Sequence, residues 1–454
     1  MTSMKNSSLI LDAAQQLQIS GMFVAEPTNM RMAVNFIFAC SVAFLLLVTL
    51  TGVPEASIFA VDLLFCAYLS SLFRKKIRYV FLLHPFILLF SDLFYSAPFL
   101  ELGDGGDYQL VVAQYGDFGG FSSIFESLTI LDALKYMSLG VAPIFDVPPY
   151  LYGAPDSGVY YLWQGCFYVM LVAACVTLAK SWRVISSEYL LLIALFSVVS
   201  PSFYDMGVAP TRHFVTYISV FLFYVSFVAT YQKFSLFRLI CVIFSLILVV
   251  VSKFPLIIPI LIFSVYYAFF EQGVVSTSKK LLVILALIGS LAIGYDSFIA
   301  KLIEYSEISS IGAASFSGLV GIPVLGIFFK YLYALLAPFP WQNAMAYIDT
   351  IYGGNGFLFF MHMLSSLSGI YFFARLILYG KPLLTGYPAI RPPIVYGLIM
   401  SASILFGATG FHVYLLIYFP FFAPLLAVKR YQISIMFPVF FVILVEGAYT
   451  ALSL

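Results

Sequence analysis

The stretch from Pro210 to Pro255 constrains the fold more than any other. It holds two apolar runs, roughly Phe214–Gln232 and Leu236–Ser252, joined by a short turn carrying Lys233 and Arg238. As a helix, each run is about long enough to cross a hydrocarbon core ~30 Å thick. The stretch therefore reads as a membrane hairpin. Basic residues favour the cytoplasmic side, so the turn is expected inside and both outer ends on the opposite face. Arg212 and His213 then stand at one outer end and Lys253 at the other. Two cations fall where the positive-inside rule expects few, and that breach is the functional clue.

Composition agrees with this reading. Apolar residues make up 62% of the 454 positions and charged residues 9%, with a mean hydropathy of +1.02. Such a chain is an integral membrane protein. The net charge of +1 comes with no basic stripe that could track a phosphate backbone, so nucleic acid is not an expected partner. Cys40, Cys66, Cys166, Cys175 and Cys241 all lie in apolar runs without CxxC spacing and read as small packing residues. The mostly polar first thirty residues lack the pattern of a signal peptide, so the N-terminus is expected in the cytoplasm.

Apolar runs of spanning length occur near 33–53, 57–73, 79–95, 159–179, 187–204, 214–232, 236–252, 255–271, 281–296, 355–374, 393–411, 413–428 and 432–450. The expected fold is an all-α polytopic membrane protein, a single transmembrane domain over 1–454 with about thirteen helices (roughly twelve to fourteen). With the N-terminus inside, the turns bearing Arg74, Lys75, Lys76, Arg78, Lys180, Arg183, Lys279, Lys280, Arg375, Lys381, Arg391, Lys429 and Arg430 also fall inside. Two long connections face outward: 97–158, acidic and rich in aromatics and Gly, and 299–354. The second includes the apolar piece Leu319–Leu336, a further span or a membrane-associated helix. Cytoplasmic connections are too short for a nucleotide-binding domain, and no GxxxxGK[ST] loop occurs. The chemistry is expected outside, without a cofactor. No internal repeat is found, and an odd span count argues against the doubled halves common in secondary transporters.

Only Lys135, Arg212, Lys253, Lys301 and Lys330 remain outward among the twenty-two basic residues. Lys253 either snorkels to lipid headgroups or holds an anion. Arg212 favours the anion, because a guanidinium chelates two phosphate oxygens at the start of a helix whose free amides attract negative charge. Lys330 is either a surface-helix lysine or a third phosphate contact. A phosphate at headgroup depth points to a lipid-linked substrate, and an Arg–Lys pair suits a leaving diphosphate as its charge develops.

A base is harder to choose. Asp104 and Asp107, among Gly103, Gly105 and Gly106, form the densest polar cluster of the first outer loop. Either can serve as general base for a sugar hydroxyl, and either can be an ordinary solvated turn. His213 is a third candidate, and an interfacial His beside an Arg is as often structural. His84, His362 and His412 lie on apolar faces and read as packing or helix-to-helix hydrogen-bonding residues. No HExxH or Cys/His set suggests a metal. Asp62, inside the second span, and Glu446, inside the last, are candidates for a proton relay or for pairing and give the best argument for a transporter.

The outer Thr211–Arg212–His213 ahead of one span, Ser252–Lys253–Phe254–Pro255 ending the next, and the later segment from Lys330 to Trp341 give the chain its resemblance. It resembles the Wzy-type repeat-unit polymerases of bacterial O-antigens and capsules, related in fold to the GT-C glycosyltransferases. The resemblance implies transfer of a growing polysaccharide from undecaprenyl diphosphate to the next lipid-linked repeat unit, at the periplasmic face of the inner membrane. It further implies diphosphate binding by Arg212, Lys253 and Lys330. Expected partners are undecaprenyl diphosphate-linked oligosaccharides and membrane lipids, with a chain-length regulator protein as a candidate. The alternatives are a GT-C transferase using a polyprenyl-phosphate sugar and a lipid-linked oligosaccharide flippase or other transporter.

Overall fold

The computed structural model describes residues 54–93, 159–201, 203–204, 213–253, 256–271, 356–401 and 413–453, and every regular element among them is helical. Helix α1 (Pro54–Ser71) leads into a 3-10 segment (Lys76–Leu83) and α2 (His84–Leu93). Then come α3 (Val159–Ser181), α4 (Ser187–Val199) and the hairpin α5 (His213–Gln232) and α6 (Leu236–Lys253). Helix α7 (Ile257–Tyr266) ends in a π-helical turn, Tyr267–Glu271. The last four are α8 (Gly356–Gly386), α9 (Arg391–Ser401), α10 (Val413–Phe422), extended by a 3-10 turn at Ala423–Ala427, and α11 (Phe437–Ser453). The runs expected at 33–53 and 281–296 and the outer loops 97–158 and 299–354 lie outside the described residues.

Among the described residues two stretches are long and apolar enough to cross a membrane, Phe214–Gln232 and Met363–Gly386; six further apolar helices are shorter. Helix α5 sits at the centre, packed by α3, α6 and α10, and nearly every side chain from Phe214 to Ala229 is buried. Its partner α6 is half-clad. Leu236, Phe237, Ile240, Ile243, Phe244 and Ile247 stay exposed along it at helical spacing. Phe86 and Phe90 on α2, and Phe440, Ile443 and Leu444 on α11, do the same. Apolar surface is thus turned outward as well as inward.

Where α5, α7, α9 and α10 meet, aromatic rings fill the interior. Tyr396 lies edge-on to Phe421 at 4.8 Å and to Phe263 at 4.5 Å, and its hydroxyl donates to the Val220 carbonyl at 2.9 Å. A small residue permits this approach. A Cβ on Gly397 would stand 2.8 Å from the Phe422 ring and 3.1 Å from Phe421 Cβ.

The basic turns gather at one end of the bundle. There, cations donate to carbonyls in and just past the last turns of helices. Lys180 donates to the Leu72 carbonyl past α1, and Arg238 Nη1 donates to Ala229 and Lys233 at the end of α5, both at 2.7 Å. Lys75 pairs with Glu188 at 2.6 Å, and Arg238 lies over the Trp182 ring. The most buried case is Arg375, whose guanidinium donates to the carbonyls of Leu425 at 2.7 Å and Tyr431 at 3.0 Å, and also to Val428. This corrects the expected turn at Arg375. Helix α8 runs straight through it to Gly386, because neighbouring carbonyls replace the water that would otherwise hold the charge.

Other elements also differ from their runs: the 432–450 run becomes helical only at Phe437, and the 413–428 run is α-helical only to Phe422. The 79–95 run is split between the 3-10 segment and α2, and the 187–204 run ends as a helix at Val199, with Ser200 extended ahead of Pro201.

Arg391, at the start of α9, closes the same end. It binds Glu271 bidentately at 2.6 and 2.8 Å, while Tyr266 donates to the same carboxylate at 2.6 Å. These hydrogen bonds hold Arg391 above the usual guanidinium range. Because the Glu271 side chain is only 7% exposed, Arg391→Ala is expected to lower stability by about 3 kcal/mol through an uncompensated carboxylate. Adding Glu271→Gln should recover roughly half of that loss. Denaturation midpoints of detergent-solubilised single and double variants measure both effects.

Candidate functional site

The hairpin runs as read: its helices end within a residue of the expected bounds and are closed by Lys233 and Arg238. Antiparallel packing then brings His213, the first residue of α5, and Lys253, the last of α6, to the end opposite the basic turns. Lys253 is half-buried, and as a cation in the last turn of α6 it also complements that helix's dipole. Arg212, Asp104, Asp107 and Lys330 lie outside the described residues, and of His213 only the backbone is described.

From that end a chain of buried polar groups leads into the bundle. Tyr217, about 6 Å along α5 from His213, hydrogen-bonds the Ser197 hydroxyl of α4. The Ser197 carbonyl accepts from Tyr168 of α3 at 2.7 Å. The Tyr168 ring stacks on Phe203 at 4.3 Å, and Phe203 also lies against His84, with ring centroids 5.3 Å apart. His84 is the centre of this polar layer. Its Nδ1 is 2.8 Å from the Val198 carbonyl and 2.7 Å from the Tyr204 hydroxyl, and its Nε2 faces Asp62 Oδ2 at 3.6 Å.

Element lengths explain why Asp62 and His84 are level. Asp62 stands about 14 Å along α1 from its basic end. The tighter 3-10 segment, rising ~2 Å per residue, climbs about 16 Å before His84 opens α2. Gly165 of α3 lets α2 come close, since a Cβ there would fall 2.4 Å from Leu88. Both residues are fully enclosed, and neither Asp62 oxygen nor His84 Nε2 has a hydrogen-bond partner among the described residues.

The reading of His84 as a helix-to-helix hydrogen-bonding residue matches this geometry. Asp62 and His84 each stood out as a polar residue in an apolar run; their meeting did not, nor did the roles of Tyr204, Tyr168 and Ser197, which look like ordinary interfacial or helical residues. No group of three or more His, Cys, Asp or Glu side chains is placed to hold a metal among the described residues.

No family model, no curated protein and no solved structure matches the chain.

The layer gives a graded stability expectation. Tyr204→Phe removes one buried hydroxyl and should lower stability by about 1 kcal/mol. His84→Ala removes the ring that Phe203 packs on and leaves Val198, Tyr204 and Asp62 facing a cavity, so about 3 kcal/mol is expected. Thermal denaturation of the purified variants in one detergent orders them.

Proposed function

We propose that the protein is a multi-span inner-membrane glycosyltransferase of the repeat-unit polymerase kind, acting at the periplasmic face on undecaprenyl diphosphate-linked oligosaccharides. The observation that carries this reading is the hairpin, which returns Lys253 to the end where α5 begins, directly after Arg212. Exposed apolar stripes on α2, α6 and α11 support lipid contact on the bundle's flanks. Arg212 and Lys253, with Lys330, hold the donor diphosphate and stabilise it as it leaves. Asp104, Asp107 or His213 takes the proton of the acceptor hydroxyl as its oxygen attacks the anomeric carbon.

A surface-polysaccharide gel tests the reading, using cells that lack the gene and carry matched amounts of each variant. Wild type restores a ladder. Arg212→Ala and Lys253→Ala leave core capped with a single repeat unit. Arg212→Lys should lose roughly tenfold or more, because a lysine cannot chelate two phosphate oxygens in a fixed plane. A near-normal ladder from Arg212→Lys refutes the phosphate role.

One observation favours a second reading, a proton-coupled transporter of lipid-linked oligosaccharide: the enclosed carboxyl of Asp62. Asp62→Asn at matched protein level separates the two. A polymerase keeps its ladder, whereas a proton-coupled transporter loses even the single-repeat cap.

A further inference from the structure

A backbone carbonyl accepts hydrogen bonds and donates none, so the 2.8 Å approach of the Val198 carbonyl calls for hydrogen on His84 Nδ1. The Tyr204 hydroxyl, 2.7 Å from the same nitrogen, is then an acceptor toward it and can turn its own hydrogen to the Val198 carbonyl, 3.3 Å away. A neutral imidazole with hydrogen at Nδ1 has a bare lone pair at Nε2. That lone pair faces Asp62 Oδ2 at 3.6 Å. Two bare acceptors, one of them a carboxylate, do not persist opposite each other in an apolar interior, where an unpaired charge is far more costly than in water. A hydrogen is needed between them.

Among the described residues no other charge is placed to meet that need. Around the pair stand Cys66 on α1, Cys166 on α3 and Tyr204 beyond α4, thiols and a phenol that are neutral in their ordinary state. The Gly165 carbonyl is the other backbone acceptor at the ring. The nearest cation of the 3-10 segment, Arg78, is engaged at the basic end with the Phe73 carbonyl.

We propose that Asp62 and His84 form a proton-binding site, holding one proton between the carboxyl of α1 and the imidazole of α2. The proton comes from water. Its uptake forms one O–H bond on Asp62 or one N–H bond on His84, breaks none in the protein and leaves the pair without net charge. The site is independent of polymer synthesis and is read on the protein itself.

The full chain in lipid nanodiscs tests it, with ¹⁵N-labelled histidine and ¹³C-carboxyl aspartate. His213→Gln, His362→Gln and His412→Gln together leave His84 as the sole histidine. The carboxyl carbon in dipolar contact with its Nε2 is then that of Asp62. At neutral pH the expected result is a protonated Asp62 carboxyl facing a His84 with hydrogen at Nδ1, or a doubly protonated His84 facing a carboxylate. Infrared spectra give a second reading in the unaltered chain: Asp62→Asn should abolish one carboxylic-acid carbonyl band in the first case and a carboxylate band in the second. Hydrogen on Nε2 alone opposite an ionised Asp62 would overturn the proposal. So would a neutral His84 together with the absence of any carboxylic-acid band lost in Asp62→Asn.

Discussion

The carbonyls left bare at helix C-termini are the constraint on which this bundle depends. A helix cannot end inside an apolar assembly without partners for its last turn. Here the partners are long basic side chains supplied by other segments: Lys180 for Leu72 past α1, Arg238 for Lys233 past α5, and Arg375 for Val428 past α10. Each reaches from a neighbouring helix or the next one, so each also ties two elements together. The negative ends of those helices attract cations in their own right. Capping, dipole and charge thus place lysine and arginine at one end for reasons internal to the protein.

This accounts for what was legible in the sequence. The bounds of the hairpin and of α3 could be read because apolar length and a basic turn coincide there, and Lys233 and Arg238 mark the turn as well as serving it. Arg375 defeated the same logic. A cation after an apolar run looks like a turn, but four carbonyls spread over 425–431 allow it to remain inside a continuous helix. Such partners lie far along the chain, and no local pattern shows them. The split at Leu83 and His84 was hidden for another reason: composition distinguishes apolar from polar, but not a 3-10 rise from an α-helical one.

The 3-10 segment carries His84 into the polar layer. It rises from the basic end by nearly as much as α1 does between Ser71 and Asp62, about 16 against about 14 Å, and so sets His84 opposite Asp62. The pair is therefore a property of chain geometry as much as of residue choice. Enclosed by α1, α2, α3 and α4, it sets two polar groups opposite each other in an otherwise apolar contact between helices.

At the far end the electrostatic logic reverses, and this separates the two proposed phosphate ligands. Lys253 ends α6 and is favoured by that helix's negative end, so its position has an internal explanation. Arg212 immediately precedes α5, at a positive helix end, where neither the dipole nor the charge asymmetry of the turns favours a cation. The helix that Arg212 precedes thus gives no electrostatic reason for a cation at that position of the chain. A lipid-linked diphosphate would meet both the guanidinium and the free amides of the first turn of α5, and it would leave Lys253 to add a second, more replaceable, positive charge.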